Sequence, residues 1–196
     1  MYEEYQSYIS FISSSLIIVH DNINTYKTLC KLCGNGKPYE YIMREHPLFW
    51  KIFLENLYTS TIINLFKILD NDKDSITIKE LIRMFNKDYS KQTEAIQEIV
   101  ALQEDIENIA RDVKPLRNKR YAHWDKEHTL DPSKTFNATW GNIEDLTTNS
   151  EKILEKISQI TLGVTYLSYH KDLELDIEKT IKSFAHNANE KQLSNE

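Results

Sequence analysis

The spacing of apolar residues predicts a long first helix. Between residues 3 and 32, apolar side chains recur every three or four positions, which is the period of one face of an α-helix. These residues are Tyr5, Tyr8, Ile9, Ile12, Leu16, Val19, Ile23 and Tyr26. The run Gly34-Asn35-Gly36-Lys37-Pro38 then interrupts the pattern, so we expect this helix to end in a turn there.

A second predicted helix begins near Tyr39 or Pro47 and runs to Leu69. Between Leu48 and Leu69, apolar residues fall on nearly every side of it rather than along one stripe. A helix of that kind lies at the centre of a bundle or is also covered by a partner. We therefore expect helix 48–69 to contribute to the core and to a homodimer interface.

The rest of the chain continues in helical periodicity. Thr77 and Glu80 resemble a capping box that opens a short helix ending at Phe85, and Ser90 is a plausible cap for the next helix. Helical spacing extends from there to Val113, from 143 to about 169, and from 173 to 185. The predicted fold is all-α, a bundle of four to six helices over residues 1–172. Residues 173–196 are predicted to form a C-terminal helix and a frayed tail of the same domain.

Composition supports this fold and restricts the function. The 196 residues contain 40% hydrophobic residues, four Gly and four Pro, as expected for one helical domain with a sizeable core. The net charge of −6 argues against a broad nucleic-acid-binding surface. Residues 111–126, however, carry six Lys or Arg against two Asp. Any nucleic-acid contact is therefore expected to be local and to lie in that segment.

Other candidate sites are weaker. Cys30 and Cys33 form a Cys-x-x-Cys pair, but no further zinc ligands stand at a suitable spacing and no strand precedes them, so we interpret them as structural. The acidic run 70–75 resembles a calcium loop, but its sixth position is Ser75 rather than Gly. Metal-assisted chemistry by Asp70–Asp74 stays open as an alternative, and no cofactor is expected. The acidic amino terminus and the absence of a long apolar run predict a soluble cytoplasmic protein.

One short segment combines several chemically active side chains. Read as a helix that opens at Pro115, Arg117, Arg120 and His123 fall within an arc of about 120°. Two guanidinium groups and an imidazole on one face are unfavourable in a core. They are suited to receive an anion.

The segment Arg117-Asn118-Lys119-Arg120-Tyr121-Ala122-His123, followed by Asp125, resembles the Arg-x(4–6)-His signature of the HEPN superfamily. Together with the run from Ser60 to Asp70, it is similar to the AbiU-type abortive-infection branch. The resemblance covers roughly residues 40 to 170. It implies an endoribonuclease of toxin or abortive-infection type that needs no metal.

The resemblance and the side-chain chemistry assign roles to the motif. His123 is expected to take the proton from a ribose 2′-OH, and Arg117 to stabilise the charge of the phosphorane-like transition state, which leaves a 2′,3′-cyclic phosphate. Asn118 is the third catalytic candidate, and it could instead cap the helix or orient Arg117. The candidate substrate-binding residues are Lys119, Arg120, Tyr121 and Asp125. Tyr121 could also be packing, and Asp125 could orient His123 or start the following loop.

The resemblance also implies partners. HEPN ribonucleases dimerise so that two motifs face one cleft, and the expected substrate is RNA. A cognate antitoxin protein is a candidate partner, but Asp125 stands where toxins paired with nucleotidyltransferases carry Tyr, which argues against a partner of that type. The alternative function is a HEPN-like module that binds RNA, a nucleotide or a protein partner without cutting.

Overall fold

The computed structural model describes residues 2–70, 75–116, 139–165, 169–170 and 172–193 of the chain. Seven helices and no strand occur in these ranges, so the predicted all-α class is confirmed. The helices are α1 Tyr2–Cys33, α2 Glu40–Glu45, α3 Pro47–Leu69, α4 Ile78–Asp88, α5 Thr93–Leu116, α6 Trp140–Leu162 and α7 Leu173–Leu193. One of them, α2, has only six residues and is separated from α3 by His46 alone.

The first of two compact units comprises Met1–Val19 and Thr61–Ser168. Helices α5 and α6 pack against each other along its core, and α4 contacts both. Fully buried aliphatic side chains lie on both helices, such as Ile99 on α5 and Leu146 and Ile153 on α6. The apolar stripe predicted for α5 is thus confirmed in Ile99, Ile106 and Val113, whereas Val100 is 37% exposed.

The first half of α1 completes this core. Tyr5, Ile9, Ile12, Leu16 and Val19 are all buried, as their spacing predicts. The Tyr5 hydroxyl donates a hydrogen bond to Asp88 Oδ2 at 3.3 Å, which links α1 to the end of α4. Burial, together with the neighbouring Asp88 carboxylate, raises the pKa of Tyr5 well above its ordinary value.

The second unit comprises His20–Ser60 and Tyr169–Glu196. Its core joins α1, α2, α3 and α7 through Leu29, Cys33, Ile42, Trp50, Ile181 and Ala185. The Trp50 indole Nε1 donates to the carbonyl of Ile42 at 3.2 Å, so its one polar atom is satisfied inside this apolar cluster. Apolar residues of α3 that face away from the cluster stay exposed: Leu48 at 67%, Phe49 at 58% and Ile52 at 51%.

Two glycines fix the ends of helices. Gly34 ends α1 as predicted, and a Cβ at this position would stand 2.5 Å from the carbonyl oxygen of Cys30. Gly163 ends α6 in the left-handed region with φ 70°, and its N–H donates to the carbonyl of Gln159 at 3.1 Å. The predicted continuation of this helix to Tyr169 is therefore wrong, because apolar spacing persists through Val164 while the backbone already turns at Gly163.

The helix starts were predicted less well. Thr77 caps α4 by accepting from the backbone N–H of Glu80 at 3.2 Å, as predicted, but the Glu80 carboxylate binds Arg83 instead. That ion pair lowers the pKa of Glu80. The prediction that Ser90 caps α5 is wrong, since Ser90 lies in a turn and the helix begins at Thr93.

The last two helices also differ from the prediction at their ends. Helix α6 begins at Trp140, three residues before the predicted start. A reciprocal capping box between Thr139 and Asn142 starts it, with contacts of 3.2 and 2.8 Å. Helix α7 continues to Leu193 instead of ending at residue 185.

Candidate functional site

The predicted motif lies outside the residues that the structure describes. This holds for all seven predicted site residues: Arg117, Asn118, Lys119, Arg120, Tyr121, His123 and Asp125. Their geometry and their roles therefore stay predictions. The structure does describe the helix that leads into the motif and the surface beside the end of that helix.

Helix α5 leads directly into the motif. It ends at Leu116, so Arg117 is the next residue of the chain. Pro115 lies inside the last turn of α5, which corrects the prediction that it opens a separate motif helix. A proline there cannot donate to the carbonyl of Arg111, four residues earlier, so the helix loses one hydrogen bond just before it ends. Lys114 supplies a positive charge in the same turn, where the helix dipole favours a cation.

A groove of about 320 Å³ lies beside this end of α5, within the first unit. The last turn of α3, the first turns of α4 and the second half of α5 form its walls. Apolar side chains line its floor, among them Phe66, Ile82 and Ile106, with Ala110 leaving space above them. We call this feature the α5 groove.

Charged side chains surround the α5 groove. Lys79 Nζ lies 3.9 Å from Glu107 Oε1, and Lys114 Nζ lies 3.9 Å from Asp70 Oδ1. Glu107 Oε1 also accepts a hydrogen bond of 3.0 Å from the amide of Gln103. With Arg111, the rim therefore carries three cations and two carboxylates.

The α5 groove was not predicted from the sequence. Glu104, Asp105 and Glu107 are all exposed, as acids on a solvated helix face are expected to be. Glu107 also faces the groove, where its Oε1 lies 3.9 Å from Lys79 Nζ while its side chain stays 55% exposed. Helical spacing distinguishes Glu107 from Glu104 and Asp105. It places Glu107 on one face of α5 with the other groove residues Gln103, Ala110, Arg111 and Lys114.

The other candidate sites find little support among the described residues. No cluster of three or more His, Cys, Asp or Glu suited to a metal occurs there. Asp70 is ion-paired with Lys114, while Asn71 to Asp74 of the acidic run lie outside the described residues. Cys33 belongs to the core of the second unit, and burial raises the pKa of its thiol, which disfavours the reactive thiolate. Among the described helices, none is both long and apolar enough to cross a membrane.

The helical fold and the family comparison together define the class of the protein. The described part of the chain consists of helices joined by non-helical segments, with no strand, and its helix α5 leads into the Arg117–His123 segment. A family model described as AbiU2, from the HEPN superfamily, matches residues 2–180, and the chain therefore belongs to this family. No curated protein and no solved structure matches the chain.

Proposed function

We propose that the protein is a metal-independent endoribonuclease of toxin or abortive-infection type. Membership of the AbiU2 family over residues 2–180 supports this proposal most strongly, since the match spans the Arg117–His123 motif. The positive charge of residues 111–126 also supports it, because the chain as a whole is acidic and this segment would attract a phosphate backbone.

The proposed reaction uses two motif side chains. His123 removes the proton from a ribose 2′-OH, which attacks the adjacent phosphorus and expels the 5′-oxygen of the next nucleotide. Arg117 stabilises the negative charge on the phosphorus-bound oxygens. The products are a 2′,3′-cyclic phosphate and a 5′-hydroxyl end. Asn118 orients Arg117, while Lys119, Arg120, Tyr121 and Asp125 hold the substrate.

We further propose a homodimer, which would place two motifs in one cleft and supply a second acid or base. The exposed face of α3 formed by Leu48, Phe49 and Ile52 supports it, since these large apolar side chains are more than half exposed in the single chain. Sedimentation at micromolar concentration tests this proposal, and a stable monomer would contradict it. A cognate antitoxin protein is a further candidate partner, and the genes that neighbour its own are the first candidates to encode it.

The second candidate function is a binding module that holds RNA, a nucleotide or a protein without cutting. The net charge of −6 and the single histidine in the motif favour it. The variant His123→Ala distinguishes the two candidate functions. If His123 is the general base, cleavage falls by about 10²–10⁴-fold while folding and RNA binding persist. If the wild-type protein binds RNA but never cleaves it, the binding module is the correct function.

A further inference from the structure

The α5 groove has the build of a small ligand site. Its floor is apolar, and Phe66, Ile82 and Ile106 present mostly aliphatic and aromatic surface to it. Six of its twelve lining residues are polar or charged, and groups such as the Gln103 amide and the Glu107 carboxylate could fix the orientation of a ligand. Pockets that bind small molecules combine these two features.

The size of the α5 groove limits what it can hold. Its volume of about 320 Å³ is at the lower end of the range of about 300–1,000 Å³ that is typical of ligand pockets. It therefore has room for a single nucleotide and not for a longer stretch of strand.

The charges of the rim favour an anion. Three cations against two carboxylates leave one positive charge in excess, on a chain whose net charge is −6. Both ion pairs across the rim measure 3.9 Å, longer than the roughly 2.7–2.9 Å of a charge-assisted hydrogen bond. Lys79 is 57% and Lys114 46% exposed, so a phosphate could replace the carboxylate partner of either lysine at small cost.

We propose that the α5 groove binds one unpaired nucleotide of the RNA strand, next to the position of cleavage. The base packs on the apolar floor around Ala110, and the phosphate is bound by Arg111 and Lys114. The identity of the bound strand as RNA rests on the proposed function. Its position next to the cleaved bond follows from Lys114, which stands only three residues before Arg117 in the chain. Apolar contact with a base tolerates different sequences. The Glu107 carboxylate and the Gln103 amide supply a preference among bases.

The test measures the binding of a short single-stranded 2′-O-methyl oligonucleotide, which lacks the attacking hydroxyl and cannot be cut. Ala110→Leu fills the groove, and Ala101→Leu is its control, because Ala101 is exposed on the same helix and does not line the groove. Both replacements keep a strong helix former. We expect Ala110→Leu to weaken binding on the order of tenfold without changing its salt dependence, and Ala101→Leu to leave binding unchanged.

A second variant tests the charges independently of packing. Arg111→Gln combined with Lys114→Gln removes two exposed cations, and Lys152→Gln on α6 is the control at an exposed helical site. We expect the double variant to weaken binding on the order of tenfold. It should also reduce the slope of log affinity against log salt by about 0.7 for each phosphate contact that is lost. On cleavable RNA, the double variant should raise KM and leave kcat within about twofold, because the groove holds the strand beside the reacting atoms.

The outcomes distinguish this inference from the proposed function. If the protein cleaves RNA but Ala110→Leu binds as tightly as Ala101→Leu, the groove does not hold a nucleotide and the cleavage function stands. If wild type cleaves no RNA but the groove variants lose binding, the groove holds a nucleotide of a bound strand and the nuclease proposal falls. Loss of binding in the charge variant alone, or failure of wild type to bind the oligonucleotide, overturns the inference. Circular dichroism and thermal unfolding of each variant exclude loss of fold as the cause.

Discussion

Replacing Gly163 measures the cost of a left-handed backbone at a helix end where an added side chain meets no clash. Gly163 ends α6 with φ 70°, and a Cβ added there would have no heavy atom within 4 Å. Gly163→Ala is therefore free of clashes, and its cost comes only from the left-handed backbone, which for an L-residue is roughly 1–2 kcal/mol. Gly163→Asn should cost clearly less, because asparagine adopts this conformation more readily.

Gly34 provides the contrasting case. A Cβ there would stand 2.5 Å from the backbone oxygen of Cys30, so the last turn of α1 must shift to admit it. We expect Gly34→Ala and Gly34→Asn to destabilise the protein equally, by roughly 2 kcal/mol or more, since the clash involves the Cβ that both residues carry.

The assay for both sites is urea unfolding followed by circular dichroism, with thermal unfolding as a check. A loss of 1 kcal/mol lowers the melting temperature of a chain of this size by about 2–4 °C. A Gly163→Ala variant as stable as wild type would contradict the cost assigned to the left-handed backbone. So would an Asn variant that is more stable than the Ala variant at Gly34 but not at Gly163.

Three further predictions test other parts of the fold. Thr139→Ala should destabilise α6 by about 1 kcal/mol, whereas Thr139→Ser should retain most of the cap; equal unfolding midpoints for the two variants would contradict the capping box. Because the pKa of Tyr5 is raised in the fold, its protonated form contributes stability that is present below pH about 10 and is lost as the pH rises further. In urea unfolding at alkaline pH, the free energy of unfolding of Tyr5→Phe should therefore fall less steeply with pH than that of wild type. An equally steep fall in the two proteins would refute this. If α3 forms a homodimer interface, Phe49→Glu should give a monomer in sedimentation, and an unchanged dimer would exclude this surface.

The sequence predicted the helices well where one periodic stripe faces one core. Tyr5, Ile9, Ile12, Leu16 and Val19 are spaced as a buried face must be, and all are buried. This inference needs no tertiary information, because the period of the helix alone decides which side chains share a face.

Helix ends and the α5 groove were predicted less well, for physical reasons. Apolar spacing continues across Gly163, so periodicity alone cannot report the turn that its left-handed backbone makes. The cap at Thr139 has Asn142 in the place where a capping box usually has Glu or Gln, and the pattern was therefore missed. The α5 groove depends on three helices that meet beside Ala110, and no local pattern encodes which helices will meet.

The most direct test of the proposed cleavage mechanism is the chemistry of the ends that the protein leaves on RNA in the presence of a chelator. Purified protein is incubated with a defined RNA and with the same RNA carrying a 2′-deoxy sugar at the cleaved position, and Arg117→Ala and His123→Ala are run beside wild type. The proposed mechanism predicts cleavage without metal, 2′,3′-cyclic phosphate ends, no cleavage of the deoxy substrate, and large losses of activity in both variants. Cleavage that requires a metal, that leaves only 3′-hydroxyl ends, or that persists undiminished in His123→Ala would contradict it.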